Sequence, residues 1–288
     1  MLCRSLMTNK LKKSVRCVAT DVNTFVKKIQ AFLTSGCSFS EHFDQYSTER
    51  CWPGHLQKYF PYAPMKVNTG MGSTGNELIA RKGIFMCNQA LHQYPGDEIL
   101  LILMWSGLAR KAFLTDNLHN VFKASYFRSM HSGLGYPQRQ GTNYLNQALD
   151  TNDPSWIWFN PGWVNDPGVE TWYTQYDNDY QQFDTTLWNM LQVQNFCIMH
   201  NINYYWMTMN NEFDSFIEMY GNEFYAQYLL DNLDMSNRIT PQGQYEWNKS
   251  NHADKFLPDN FHPTSEAHKL FTDSIIVPFL VDRGILNV

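Results

Sequence analysis

The feature that most constrains this chain is an unbroken apolar run, Ile99-Leu100-Leu101-Ile102-Leu103-Met104-Trp105. It is far too short to span a bilayer, which takes about 20 apolar residues as a helix. Introduced by the turn residues Pro95-Gly96-Asp97, Ile99 to Met104 reads as a buried strand. Ala31-Phe32-Leu33-Thr34, Met65-Lys66-Val67-Asn68 and Tyr204 to Met209 read as further short strands. Helical spacing separates them: Leu78, Ile79, Ile84 and Cys87 share a face, Thr185 to His200 reads as a helix, and Pro263-Thr264-Ser265-Glu266 opens a last one. Ser40 to Phe60 reads as mostly helical but interrupted at Pro53-Gly54, and the stretch between Met209 and Asp259 reads only as polar. Strands alternating with helices predict a three-layer α/β/α fold around a short parallel sheet.

The 288 residues are 43% hydrophobic and 17% charged, enough apolar material for a sizeable core and too much for intrinsic disorder. The net charge of −5 is unevenly spread. Residues 1–28 hold seven Lys/Arg against Asp21 alone, a balance of +6 that leaves −11 for the remainder. Residues 1–30 therefore read as a basic arm and 31–288 as the folded domain. An aromatic-rich insertion falls at about 112–180. The arm lacks the apolar core of a signal peptide and suits an acidic partner surface. Nucleic acid is the less favoured partner. Six scattered cysteines form no metal-binding spacing and no disulfide framework.

In a parallel α/β sheet, functional groups gather beyond the carboxyl ends of the strands. Three segments stand there: Gly36-Cys37-Ser38, Gly70-Met71-Gly72 and Trp105-Ser106-Gly107. A serine in that place needs a base, because a free hydroxyl is a poor nucleophile at neutral pH. Asp259-Asn260-Phe261-His262 offers a histidine and an orienting acid together. The pattern alone is weak, and Asp116-Asn117-Leu118-His119 repeats it. Position separates the two, since Asp259 stands just before the last helix. Each residue also has a plain structural use. Ser38 and His262 could cap helices, the glycines could serve a turn, and His268 reads as a surface residue.

Gly36-Cys37-Ser38-Phe39-Ser40, Asn68-Thr69-Gly70-Met71-Gly72 and Asp259-Asn260-Phe261-His262-Pro263 resemble, in order, the first, second and fifth blocks of the SGNH (GDSL-like) hydrolases. The resemblance covers residues 31–282. It is strongest to the SGNH-like proteins of bacteriophages and large viruses, through Gly-Cys-Ser-Phe, Trp52-Pro53 and the Trp105-Ser106 to Arg110 block. It implies a flavodoxin-like fold and a serine esterase without metal or cofactor. Ser38 would be the nucleophile, His262 the base and Asp259 its orienting acid, with Ser38 and Gly72 amides in the oxyanion hole. The implied substrate is an ester, an O-acetyl group on a surface polysaccharide. The implied partner of the arm is a virion protein. Two departures stand out. Cys37 replaces the usual aspartate, and the third block lacks its oxyanion asparagine, leaving Ser106 or Arg110 to donate instead. The alternative expectation is a virion structural or receptor-binding protein that keeps the scaffold without turnover.

Overall fold

The computed structural model describes residues 28–41, 51–72, 74–114, 156–159, 175 and 177–288. The arm up to residue 27, the second Asp-x-x-His at 116–119 and most of the aromatic insertion lie outside them.

Four strands, β1 (Ala31–Ser35), β2 (Met65–Asn68), β3 (Ile99–Trp105) and a later one, Asn203–Thr208, form an all-parallel sheet. An antiparallel pair, β4 (Lys111–Leu114) with β5 (Trp156–Phe159), stands apart, so the fourth parallel strand is β6. The sheet order is β2-β1-β3-β6. Counting parallel strands alone, this is the start of the flavodoxin-like order. A single parallel bridge, Trp206 with Arg238, lies beside β6 where a fifth strand would pair.

Side chains alternate across a strand, and here the alternation sorts the core into two. Leu101, Leu103 and Trp105 face one side with Leu33 and Trp206; Leu100, Ile102 and Met104 face the other with Phe32 and Met207. The first side is covered by α2 (Asn76–Leu91) and the long helix α3 (Asp179–Met199), then α4 (Glu212–Tyr220) and α5 (Phe224–Asn232). The second is covered by α1 (Trp52–Leu56) and by the C-terminal region. After α6 (Gln244–Asn251), that region runs through α7 (Ser265–Phe271), a π turn at Thr272–Ile276 and α8 (Val277–Asp282). The result is the expected three-layer α/β/α arrangement. All seven residues of β3 are buried, which is why its sequence is apolar without alternation.

The sequence reading needs three local corrections. Pro53-Gly54 does not interrupt a helix; it opens α1, because proline is tolerated in the first turn, where its missing N–H is not needed. The long helix starts at Asp179 rather than Thr185, since Asn178 caps it by accepting from the Gln181 N–H. The polar stretch after Met209 contains three helices, α4 to α6.

Candidate active site

The strand order reverses between β1 and β3, and the turn leaving β1 stands at that switch point. Beyond β1, a Cβ on Gly36 would run into the Ser40 hydroxyl and press on Met104, so only glycine lets the chain bend there. Cys37 is extended and buries its thiol 3.3 Å from the Met209 sulfur. A 3-10 turn, Ser38–Ser40, follows. Phe39 and Ser40 are buried, and the Ser40 hydroxyl accepts from Trp52 Nε1 at 2.9 Å. With both following residues anchored inward, Ser38 is the one left half-exposed.

Asp259 and His262 come from the loop before α7. Its ends are pinned by the Leu257 N–H to the His262 carbonyl (2.8 Å) and the Thr264 N–H to the Lys255 carbonyl (3.0 Å). Asn260 sits in the left-handed region, φ +56°, which asparagine tolerates better than most residues. Asp259 Oδ1 accepts the backbone N–H groups of Phe261 and His262, both at 2.9 Å. Its Oδ2 lies 2.5 Å from His262 Nδ1, and His262 Nε2 lies 2.9 Å from Ser38 Oγ. Phe39 and Phe261 flank the imidazole, with ring centroids at 5.5 and 5.1 Å. Burial works against the Asp259 charge, but the two backbone N–H groups and the His262 ring outweigh it. They hold the carboxyl below its ordinary value.

The capping explanations do not hold for either residue. Among the described residues the Ser38 hydroxyl bonds His262 and no backbone N–H, and Thr264 rather than His262 caps α7 by accepting from the Ala267 N–H. His268 is not on the surface either. It is 3% exposed, its Nδ1 2.7 Å from Gln244 Nε2 and its ring edge-on to Phe39.

The loop after β2 is stitched to the serine turn. Asn68 Nδ2 donates to the carbonyls of Ser40 (2.6 Å) and Glu41 (3.3 Å), and its Oδ1 accepts from the Gly70 N–H (3.0 Å). The Met71 N–H donates to the Gly36 carbonyl at 3.0 Å. A Cβ on Gly70 would enter the Ser40 carbonyl, so this approach also requires glycine. Gly72 comes beside Ser38: a Cβ there would lie 3.8 Å from the Ser38 Cβ. Its N–H, however, donates to Glu41 Oε2 at 3.0 Å. Under the loop, buried Lys82 donates to the Thr69 carbonyl at 3.1 Å. Burial pushes its ammonium down to about 8, opposed by the Glu41 charge.

Ser106 and Arg110 are placed differently. The Ser106 hydroxyl accepts from Arg110 Nη1 at 2.9 Å, and its backbone N–H donates to Asn76 Oδ1 at 2.8 Å. The Asn76 amide in turn donates to the Ser106 carbonyl and to Thr186 Oγ1. Glu212 closes the same cluster by accepting from the Leu108 N–H at 3.0 Å. Among the described residues, no hydrogen bond joins Ser106 or Arg110 to Ser38. The structure thus brings Ser38, His262, Asp259 and Gly72 together and ties Ser106 and Arg110 to each other. Glu41, Asn76 and Lys82 went unremarked in the sequence. Only Glu41 carried a signal, as an acid three residues past the serine.

Asn260 offers a local test. Asn260→Val forces a β-branched residue into the left-handed region, at about 1–2 kcal/mol. We expect lower stability or lower reactivity of Ser38 in that variant, and neither loss in Asn260→Gly, by thermal unfolding and active-site labelling.

Among the described residues no group of three or more His, Cys, Asp or Glu is placed to hold a metal ion, and no helix is long and apolar enough to cross a membrane. The fold and site define a parallel α/β protein with a serine, a histidine and an aspartate linked in series at the strand ends. The chain belongs to the family of unknown function DUF6071, whose model matches residues 37–287. No curated protein matches it. Among solved structures it is similar to protein YXIM of Bacillus subtilis at 11% identity and a TM-score of 0.45, over 89% of this chain and 57% of that one. The chain thus spans little more than half the length of that structure.

Proposed function

We propose that the protein is a serine ester hydrolase of the SGNH type. The observation that carries this reading is the series Ser38 Oγ to His262 Nε2 at 2.9 Å and His262 Nδ1 to Asp259 Oδ2 at 2.5 Å. In an ester substrate, Ser38 attacks the carbonyl carbon while His262 takes the hydroxyl proton, then returns it to the leaving alcohol. Asp259 fixes the ring so that Nε2 faces the serine and stabilises the imidazolium as it forms. Water, activated by the same imidazole, releases the acyl group. The amides of Ser38 and Gly72 are the proposed oxyanion donors. As substrate we propose an O-acetyl group on a surface polysaccharide, on the motif resemblance alone.

One observation favours the non-catalytic reading, a structural or receptor-binding protein on the same scaffold: the Gly72 N–H is already bonded to Glu41. A fluorophosphonate probe separates the two, because it reacts only with an activated serine. Labelling confined to Ser38 is the expected result; no labelling of folded protein, either as wild type or with Glu41 removed from the Gly72 N–H, would favour the scaffold.

A further inference from the structure

Glu41 is the group the mechanism leaves unexplained. Its main chain is held one turn beyond the nucleophile. The Glu41 N–H donates to the Ser38 carbonyl at 3.4 Å, and the Glu41 carbonyl accepts from Asn68 Nδ2 at 3.3 Å. From there its side chain reaches across to the β2 loop and places Oε2 3.0 Å from the Gly72 nitrogen. A Cβ on Gly72 would lie 3.1 Å from that same oxygen and 3.8 Å from the Ser38 Cβ, so carboxylate and nucleophile flank one glycine. Beneath the loop, the buried ammonium of Lys82 interacts with the Glu41 charge.

We propose, on the strength of the esterase reading above, that Glu41 is an internal ligand of the oxyanion site. Its carboxylate oxygen occupies the place at the Gly72 amide that an ester's carbonyl oxygen must take, so that the resting site is self-occupied. An ionised acceptor makes a hydrogen bond roughly twice as strong as a neutral one. A neutral ester carbonyl therefore competes poorly for this N–H. The negative charge also opposes the oxyanion as it develops a few ångströms away. Glu41 must swing off Gly72 before Ser38 can react, and the rate is throttled by how seldom it does so.

The test compares full-length wild type, Glu41→Gln, Glu41→Ala and Ser38→Ala for fluorophosphonate labelling rate and for hydrolysis of p-nitrophenyl acetate. Glutamine keeps the shape and removes only the charge, so it decides the matter if the alanine variant folds poorly. Circular dichroism establishes that each variant is folded. Both Glu41 variants should label and hydrolyse roughly tenfold faster or more, given that one oxyanion donor is typically worth about 10²–10³ in rate. Ser38→Ala should do neither. Labelling by the Glu41 variants but not by wild type would support the proposal most strongly. If wild type labels and folded Glu41 variants label no faster, Glu41 supports the loop rather than blocking it, and this inference falls while the esterase reading stands. If Ser38 stays inert even with Glu41 removed, both fall together.

Discussion

Ser38→Ala is expected to lower ester hydrolysis by about 10⁴-fold or more while leaving the fold intact, since loss of a triad nucleophile has effects of that order. Ser38 Oγ is half-exposed and bonded to His262 alone among the described residues, so its removal opens no cavity in the core. Unchanged turnover in a folded Ser38→Ala protein would remove the serine from the chemistry. Asp116→Ala and His119→Ala provide the comparison. They alter the other Asp-x-x-His in the chain and should leave turnover nearly as in wild type.

The second large effect concerns stability. Lys82 is fully buried, and its folded value of about 8 lies below the ordinary 10.5 because burial disfavours the ammonium. Below pH 8 the lysine is charged whether the chain is folded or not, and folding bears the full net cost of burying the ammonium beside Glu41, about 3 kcal/mol. Between about pH 8 and 10.5 the unfolded chain binds more protons than the folded one, so stability rises with pH across that window. Lys82→Met lacks this titration. The difference in unfolding free energy between wild type and Lys82→Met, measured in urea, should move in favour of wild type by about 2 kcal/mol from pH 7.5 to pH 10. A flat difference would mean that the ammonium is solvated through the loop above it.

Much of the site was legible in the sequence because its parts are local. Ser38 follows a run apolar enough to be read as a strand, and Asp259 and His262 lie within one turn of each other. Gly36 and Gly70 stand where a side chain would strike Ser40. What could not be read depends on distant contacts. Asn76 matters because it bonds both backbone groups of Ser106, thirty residues away. Lys82 looks like any helix-surface lysine until α2 is docked under the loop after β2. The helices of the polar stretch were hidden by composition. In α4 only Phe213 and Phe216 are fully buried, amid acids and polar residues that leave a faint apolar stripe. His268 misled for a related reason: one polar residue in a C-terminal helix reads as exposed, yet Gln244 of α6 supplies a buried partner.

The separation of Ser38 from His262, 224 positions along the chain, has a consequence during synthesis. The serine turn and its glycine loop lie in the first third of the chain, whereas the base and its acid emerge only near the end. On the proposed esterase reading, a ribosome-bound or truncated chain that stops short of residue 259 carries Ser38 without the imidazole that would activate it. Reactivity of Ser38, on that reading, waits until the helices that follow His262 have packed against the sheet and brought the imidazole to the serine.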